Sequence, residues 1–184
     1  AVDWKESLLA TYLSVIETSD KGCEGEVQTI TIKVDALGID LRYVSVGTPD
    51  DRMIIDWKLI NKSQTSSFDI QKKIALSANP WQTVATVSGN VYNYLETDIN
   101  TDNQSYDYRI SAINLCGTLI TSETHTSILL QGIQNVDFST SLDFSAYVGW
   151  VMGVSQYNAY TSSNSKAYSL LESNVNPGQA ILSV

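Results

Sequence analysis

The chain alternates between apolar and polar positions over most of its length. In "SYDYRISAINLCG", residues 105–117, Tyr106, Tyr108, Ile110 and Ala112 fall on one side of an extended backbone, and Asp107, Arg109 and Ser111 on the other. A period of two marks a half-buried strand. From residue 38 onward such segments recur at the roughly 8–12-residue spacing of an all-β sandwich. "LRYVSVGT" (41–48) stops at Pro49-Asp50-Asp51, and "RMIIDWKLI" (52–60) follows with Trp57 as its large apolar residue. "FDIQKKIA" (68–75) points Phe68 and Ile70 inward, "WQTVATV" (81–87) carries Trp81, Val84 and Val87, and "VYNYLET" leads into the polar "DINTDNQ". After Cys116-Gly117, "LITSETHTSILL" reads as one further strand. Turn-forming clusters ("NKSQTSS", "SANP", "SGN") separate the strands, with residues that favour turns for local hydrogen-bonding or dihedral reasons. Leucine spacing in "KESLLATYLSVI" (5–16) allows a helix, but Tyr12, Ser14 and Ile16 continue an alternation against Thr11 and Val15, so a strand is predicted there too. The expected fold class is all-β, in tandem sandwiches.

The pattern repeats. Trp57 in "IIDWKLI" matches Phe144 in "SLDFSAY", each after an apolar-Asp pair, and Trp81 matches Tyr168, with Val84 against Leu171. Trp57 to Trp81 is 24 residues, as is Phe144 to Tyr168, and the two pairs lie 87 residues apart. Between them Phe68 in "SFDI" answers Tyr157 in "QYNA" after a two-residue shift. At the other end, "ATYLSVIETSDKGCEG" (10–25) matches "QSYDYRISAINLCGTL" (104–119), with Tyr12 against Tyr106 and Cys23 against Cys116, and "TITIKV" answers "THTSILL". Three matches in chain order divide the sequence into terminal strands of one module (1–36), a complete module (38–132) and the first strands of another (134–184). Incomplete sandwiches carry unpaired strand edges. Such edges pack on the complete module, are completed by further chain, or pair with each other.

"YDYRISAIN-LCG" resembles the sixth-strand signature of fibronectin type III modules, and Trp57 fits the second-strand tryptophan of that family. "TIKVDALGIDLRYVSV" with "ETHTSILLQG" is similar to modules of large secreted proteins of gliding Bacteroidota exported by type IX secretion. "YLSVIETSDKGCEGEVQTITIKV" resembles the end of an immunoglobulin-like repeat in the same proteins. The resemblance implies secreted or cell-surface localisation and a role as adhesin or extracellular scaffold. The partners it implies are adjacent modules of the same polypeptide, other surface or secretion-system proteins, and polysaccharide. A fold alone does not assign such a role.

Composition narrows the classes. A net charge of −9 and a pI near 4.4 repel phosphate backbones and anionic lipid, so nucleic acid is not expected as a partner. No apolar run reaches the roughly 18 residues of a membrane helix, so no membrane insertion is expected. The chain starts with Ala and lacks a basic segment followed by an apolar one, and so reads as a mature or excised segment.

Candidate chemistry is sparse. The single histidine, His125, lies on a predicted strand, where a structural or surface role is expected. Cys23 and Cys116 form no CxxC and have no nearby histidine, which disfavours zinc. Occupying equivalent places in neighbouring modules, they are expected tens of Å apart, too far for a mutual disulfide, whose Cα atoms lie within about 7 Å. Asp98, Asn100 and Asp102 have calcium-loop spacing, but Asn103 and Arg109 stand where an EF-hand needs Gly and Glu. An Asx-rich turn is the plainer reading. Asp56 and Asp143 hold equivalent repeat positions, as solvent-side strand residues do. "NKS" at Asn61 and "NQS" at Asn103 fit a glycosylation sequon by coincidence. No catalytic residue, cofactor or metal site is therefore expected. Trp57, Trp81, Tyr106 and Tyr108 are the expected structural core, with one tyrosine hydroxyl bonded to backbone as in a tyrosine corner. Tyr147, Trp150 and Met152, around two glycines in "SAYVGWVMGVSQY", form the candidate interaction patch, binding a partner or sugar or packing on the adjacent module. The expected function is a non-catalytic extracellular spacer, scaffold or adhesion module. The rival is a carbohydrate-binding accessory module of a secreted glycoside hydrolase, which needs a row of exposed aromatics on one sheet. A third reading is a component held by the secretion machinery.

Overall fold

A computed structural model describes residues 4–7, 10–15, 28–32, 38–48, 51–60, 65–114, 117–137, 139–162, 168–178 and 181–183, with the backbone path alone before residue 38 and after residue 180. Cys23, Cys116, Asn61 and the side chain of Tyr12 lie outside the described residues. No helix occurs among those described, and none is long and apolar enough to cross a membrane. The protein is all-β in several antiparallel sheets.

β1 (Trp4–Ser7), β2 (Ala10–Val15) and β3 (Gln28–Ile32) form a three-stranded meander in which Thr11 faces Ile32 and Val15 faces Gln28. The central unit begins with β4 (Ile39–Val46), β5 (Met53–Leu59), β6 (Ser67–Ile74), β7 (Gln82–Ser88), β8 (Asn93–Glu96) and β9 (Tyr106–Ile113), and ends with β10 (Leu119–Thr121) and β11 (His125–Thr126). Its sheets are β4-β5-β8 and β10-β9-β6-β7, with β11 also on β9. This is a fibronectin type III-like sandwich of three strands on five, the last two short and both paired with β9.

Alternation drives the packing. On β5, Met53, Ile55 and Trp57 are at most 1% exposed, while Ile54, Asp56 and Lys58 face away. Phe68 and Ile70 on β6 and Tyr108 and Ile110 on β9 meet them from the opposite sheet, each 0% exposed. Each such burial contributes about 1.5–3 kcal/mol. The Trp57 and Phe68 rings meet edge-to-face with centroids 5.6 Å apart. The Trp57 indole nitrogen is buried with no hydrogen-bond acceptor among the described residues.

Trp81 departs from the expected core. The β6–β7 register shifts between Ile70 and Gln71, so that Ile70 faces Ala85 but Gln71 faces Thr83. One extra residue on a strand reverses which side chains point inward. Ala85 and Val87 therefore face the core, while Thr83 and the preceding Trp81 turn to the outer surface. There Arg109 lies 4.4 Å and Lys73 5.3 Å from the Trp81 ring centroid.

Tyr106 and Tyr108 do face inward, but not as a tyrosine corner. The Tyr108 hydroxyl donates to Glu96 Oε2 at 2.7 Å, and Lys72 binds the other oxygen of that carboxylate. Burial first, and then the Glu96 charge, raise the hydroxyls of both tyrosines above the ordinary value.

The strand expected at "LITSETHTSILL" is broken into β10 and β11. Serines repair the ladder: Ser122 Oγ accepts from Ile110 N–H at 2.9 Å and Ser127 Oγ from Tyr106 N–H at 3.0 Å. The chain then changes partner, and β12 (Leu130–Gln134) pairs with β13 (Thr140–Phe144), which in turn pairs with β16 (Ile181–Ser183). β14 (Tyr157–Thr161) and β15 (Ser169–Val175) form a separate hairpin. Phe144 and Val175 make a small core with Tyr157, Leu142 and Leu171. Phe144 and Tyr157 stack edge-to-face at 5.1 Å, reproducing in space the Trp57–Phe68 pair of the central unit. Asp143 caps its neighbour, accepting from Phe144 N–H at 2.8 Å.

Candidate interaction site at Tyr147 and Trp150

The segment after β13 crosses to the central unit. Among the described strands β4 is an edge, paired only with β5, so its outer amides need partners from elsewhere. Tyr147 supplies one: Val44 N–H donates to Tyr147 Oη at 2.9 Å. The same hydroxyl lies 2.6 Å from His125 Nδ1. A phenol hydroxyl both donates and accepts, so this single oxygen joins the β4 amide and the imidazole at one point. The imidazole and phenol planes stand at 90° with centroids 5.6 Å apart.

Two further bonds close the contact: Trp150 Nε1 donates to Arg42 O at 2.6 Å and Thr126 N–H to Val148 O at 2.8 Å. Tyr147 N–H donates to Tyr157 Oη at 2.9 Å, which ties the segment to its own unit. Trp150 stacks on Tyr147 at 4.6 Å. Gly149 makes the close approach possible. Its φ is +141°, and a Cβ there would stand 2.2 Å from His125 Cδ2.

The site is buried at its centre. His125 is 2% exposed. Burial pushes its imidazole below the ordinary value, with Asp40 and Glu123 pulling the other way. Burial also pushes Tyr147 up to about 12, with the Val44 amide opposing.

The patch expected from sequence is thus divided. Tyr147 and the indole nitrogen of Trp150 are engaged on the central unit, whereas Met152 and Val151 stand 96% and 95% exposed. Sequence reading missed Arg42, Val44 and His125, the receiving side. The signal that could have flagged the contact is Gly149 between Tyr147 and Trp150.

The other candidate residues do not converge. Asp56 Oδ1 lies 3.0 Å from Arg42 Nη1, an ion pair outside hydrogen-bond alignment. It borders a cleft of about 850 Å³ at the end of β5, lined also by Trp57, Lys58, Asn90, Tyr92 and Asn93. Asp56 is the only carboxylate among the described lining residues, and acid–base pairs need two groups with separated proton affinities. In the expected Asx turn, Asn100 Oδ1 accepts from Asn103 N–H at 3.3 Å.

No protein-family model and no curated protein matches the chain. Among solved structures it is similar to pectate lyase PelI from Erwinia chrysanthemi in complex with tetragalacturonic acid, at 12% identity and TM-score 0.42, over 48% of this chain and 28% of that one. It is also similar to a myokine structure, at 13% identity and TM-score 0.38, over 50% of this chain and 92% of that one. The FN1–FN3 domains of chicken CNTN1 match at 16% identity and TM-score 0.33, over 79% of this chain and 54% of theirs. The chain therefore spans 28% of the length of the lyase. No site residue is carried over from these likenesses.

Proposed function

We propose that this chain is a non-catalytic extracellular segment that holds consecutive β-sandwiches at a fixed angle within a larger secreted or cell-surface protein. It acts there as spacer and scaffold, and its exposed faces meet other surface or secretion-system proteins. The observation that carries this reading is the hydroxyl of Tyr147, which binds Val44 and His125 of the preceding unit at once. A linker that merely tethers domains leaves their relative motion free. Here backbone and side-chain bonds, an aromatic stack and a sterically required glycine meet at one contact. Export by type IX secretion in Bacteroidota belongs to the same proposal and is supported by the sequence resemblance.

The rival carbohydrate-binding reading needs aromatics in a row. Trp81 lies beneath two cations on the outer sheet, Tyr92 on the β7–β8 turn, and Tyr160 and Tyr168 on the third unit. Affinity electrophoresis of the full chain through a panel of polysaccharides tests the choice. Unchanged migration in every gel is expected. Saturable retardation that disappears in Trp150→Ala would reassign the segment as a carbohydrate-binding module.

A further inference from the structure

We propose that the turn at residues 150–153 is the contact by which two copies of this chain pair: the Val151 and Met152 side chains of each copy seat in the hollow beside the same turn of the other. The inference rests on the joint described above, because the joint brings the two sides of that surface together.

Gly153 N–H donates to Trp150 O at 2.8 Å, and Gly153 has a φ of +68°, so Val151 and Met152 hold the two central positions of a tight turn. Such positions favour Gly, Pro, Asn, Asp and Ser, each for a local reason of dihedral or hydrogen bond. Here two large apolar side chains stand almost wholly in solvent instead. The turn is anchored, since Trp150 Nε1 is bonded to Arg42 O. The pair is thus presented on a held base, which reduces the ordering that association costs. Directly beside it lies a hollow of about 370 Å³. Ile39, Leu41 and Ile60 of the central unit form one side of its described apolar lining, and Trp150, Val151 and Met152 the other. Knob and hollow adjoin on one face.

A surface with a knob next to a hollow that fits it is complementary to itself. A two-fold axis between them puts each knob in the other copy's hollow and closes the contact at two copies, as isologous interfaces do. Charge favours the same partner. The chain carries −9 overall, yet Asp40 at this hollow is paired with Lys58 at 3.1 Å, which leaves Glu123 as the one carboxylate without an ion pair among the described lining. A basic partner finds little to recognise there, and a second copy meets no concentrated repulsion. Area sets the strength. Ile60 is 64% and Trp150 46% exposed. With the two turn residues they offer on the order of 500 Å² of apolar surface, at about 150–250 Å² for a large side chain. Patches of that size mark interaction sites. Two such faces bring about 1,000 Å² together, the low end of specific interfaces, where weak and reversible contacts fall.

The test is sedimentation velocity of the full chain with its thiols kept reduced, from about 5 µM to about 1 mM, a range that brackets the weak affinity of an interface this small. A reversible monomer–dimer equilibrium is expected. Met152→Asp charges the knob and Ile60→Asp the hollow, and each should raise the dissociation constant at least about tenfold. Leu76→Asp, at a fully exposed apolar position on the β6–β7 turn, should leave it unchanged. Met152→Asp should also keep the wild-type urea midpoint, since that side chain is almost wholly exposed. A wild type that stays monomeric throughout overturns the pairing, as does a dimer that survives Met152→Asp, growth beyond two copies, or equal loss in Leu76→Asp. A dimer lost in Met152→Asp but kept in Ile60→Asp seats the knob outside the hollow and overturns it too. Exchange of Thr126 N–H, bonded to Val148 O across the joint, is read in the dilute monomer. Slow exchange with no dimer at any concentration overturns the pairing and leaves the joint standing. Fast exchange removes the joint, and the pairing with it.

Discussion

Tyr147→Phe isolates the hydroxyl that ties the two units together. The phenyl ring keeps its place against Trp150 and His125, so the loss is confined to two hydrogen bonds, one accepted from Val44 N–H and one shared with His125 Nδ1. At about 1 kcal/mol net for each bond, docking weakens by about 2 kcal/mol, which is about a 30-fold change in the opening equilibrium at 1.4 kcal/mol per decade. Amide hydrogen exchange reads this directly. Thr126 N–H donates to Val148 O, a backbone bond between the units that the substitution leaves in place. Its exchange should accelerate about 30-fold in the variant, in the regime where exchange follows the population of the opened form. Val44 N–H should accelerate further, since its acceptor is gone. Ser127 N–H, bonded to Tyr106 O inside the central unit, serves as the control. Unchanged exchange at Thr126 would refute the joint. Equal acceleration at Ser127 would mean that the central sandwich, not the joint, had been weakened.

Gly149→Ala combines a positive-φ penalty of about 1–3 kcal/mol with a methyl inside the His125 ring. It should raise Thr126 exchange at least as much as Tyr147→Phe while leaving the urea midpoint of the central unit in place. Trp57→Ala should cost about 3–5 kcal/mol as a core truncation, whereas Trp81→Ala should cost about 1 kcal/mol, the scale of an exposed cation–π contact. Paired urea titrations distinguish the two, and equal losses would put Trp81 back in the core. Burial holds the folded-state value of His125 below the ordinary 6.5, so the neutral ring contributes stability in full above pH 6.5, and that contribution falls as the pH drops below it. The wild type should therefore lose stability on acidification through that range by an increment that His125→Gln lacks, as read from urea midpoints across the series.

Strand faces were legible where the period stays unbroken and the side chains are large. On β5, β6 and β9 the alternation of Trp57, Phe68 and the two tyrosines leaves no second arrangement, because a one-residue slip would expose all of them. The repeat was legible for the same reason, and the stacked pairs Trp57–Phe68 and Phe144–Tyr157 are its spatial form. Trp81 was misread because a bulge opposite Ile70 and Gln71 reverses the parity of β7, and nothing in "WQTVATV" marks that extra residue. The break between β10 and β11 was hidden because serine hydroxyls at Ser122 and Ser127 take over amides that a continuous strand would have bonded. The joint itself could not be read locally. Val44 and Tyr147 are separated by 103 residues, and Arg42 and Trp150 by 108. "SAYVGWVMGV" showed that aromatics gather there, but not which surface receives them.

Residual dipolar couplings from the full chain in a weakly aligning medium test the fixed joint most directly. The account predicts that the amides of residues 39–126 and those of 140–175 fit one alignment tensor of one magnitude. Two tensors, with the second clearly reduced, would show the third unit moving independently of the central one and would contradict it.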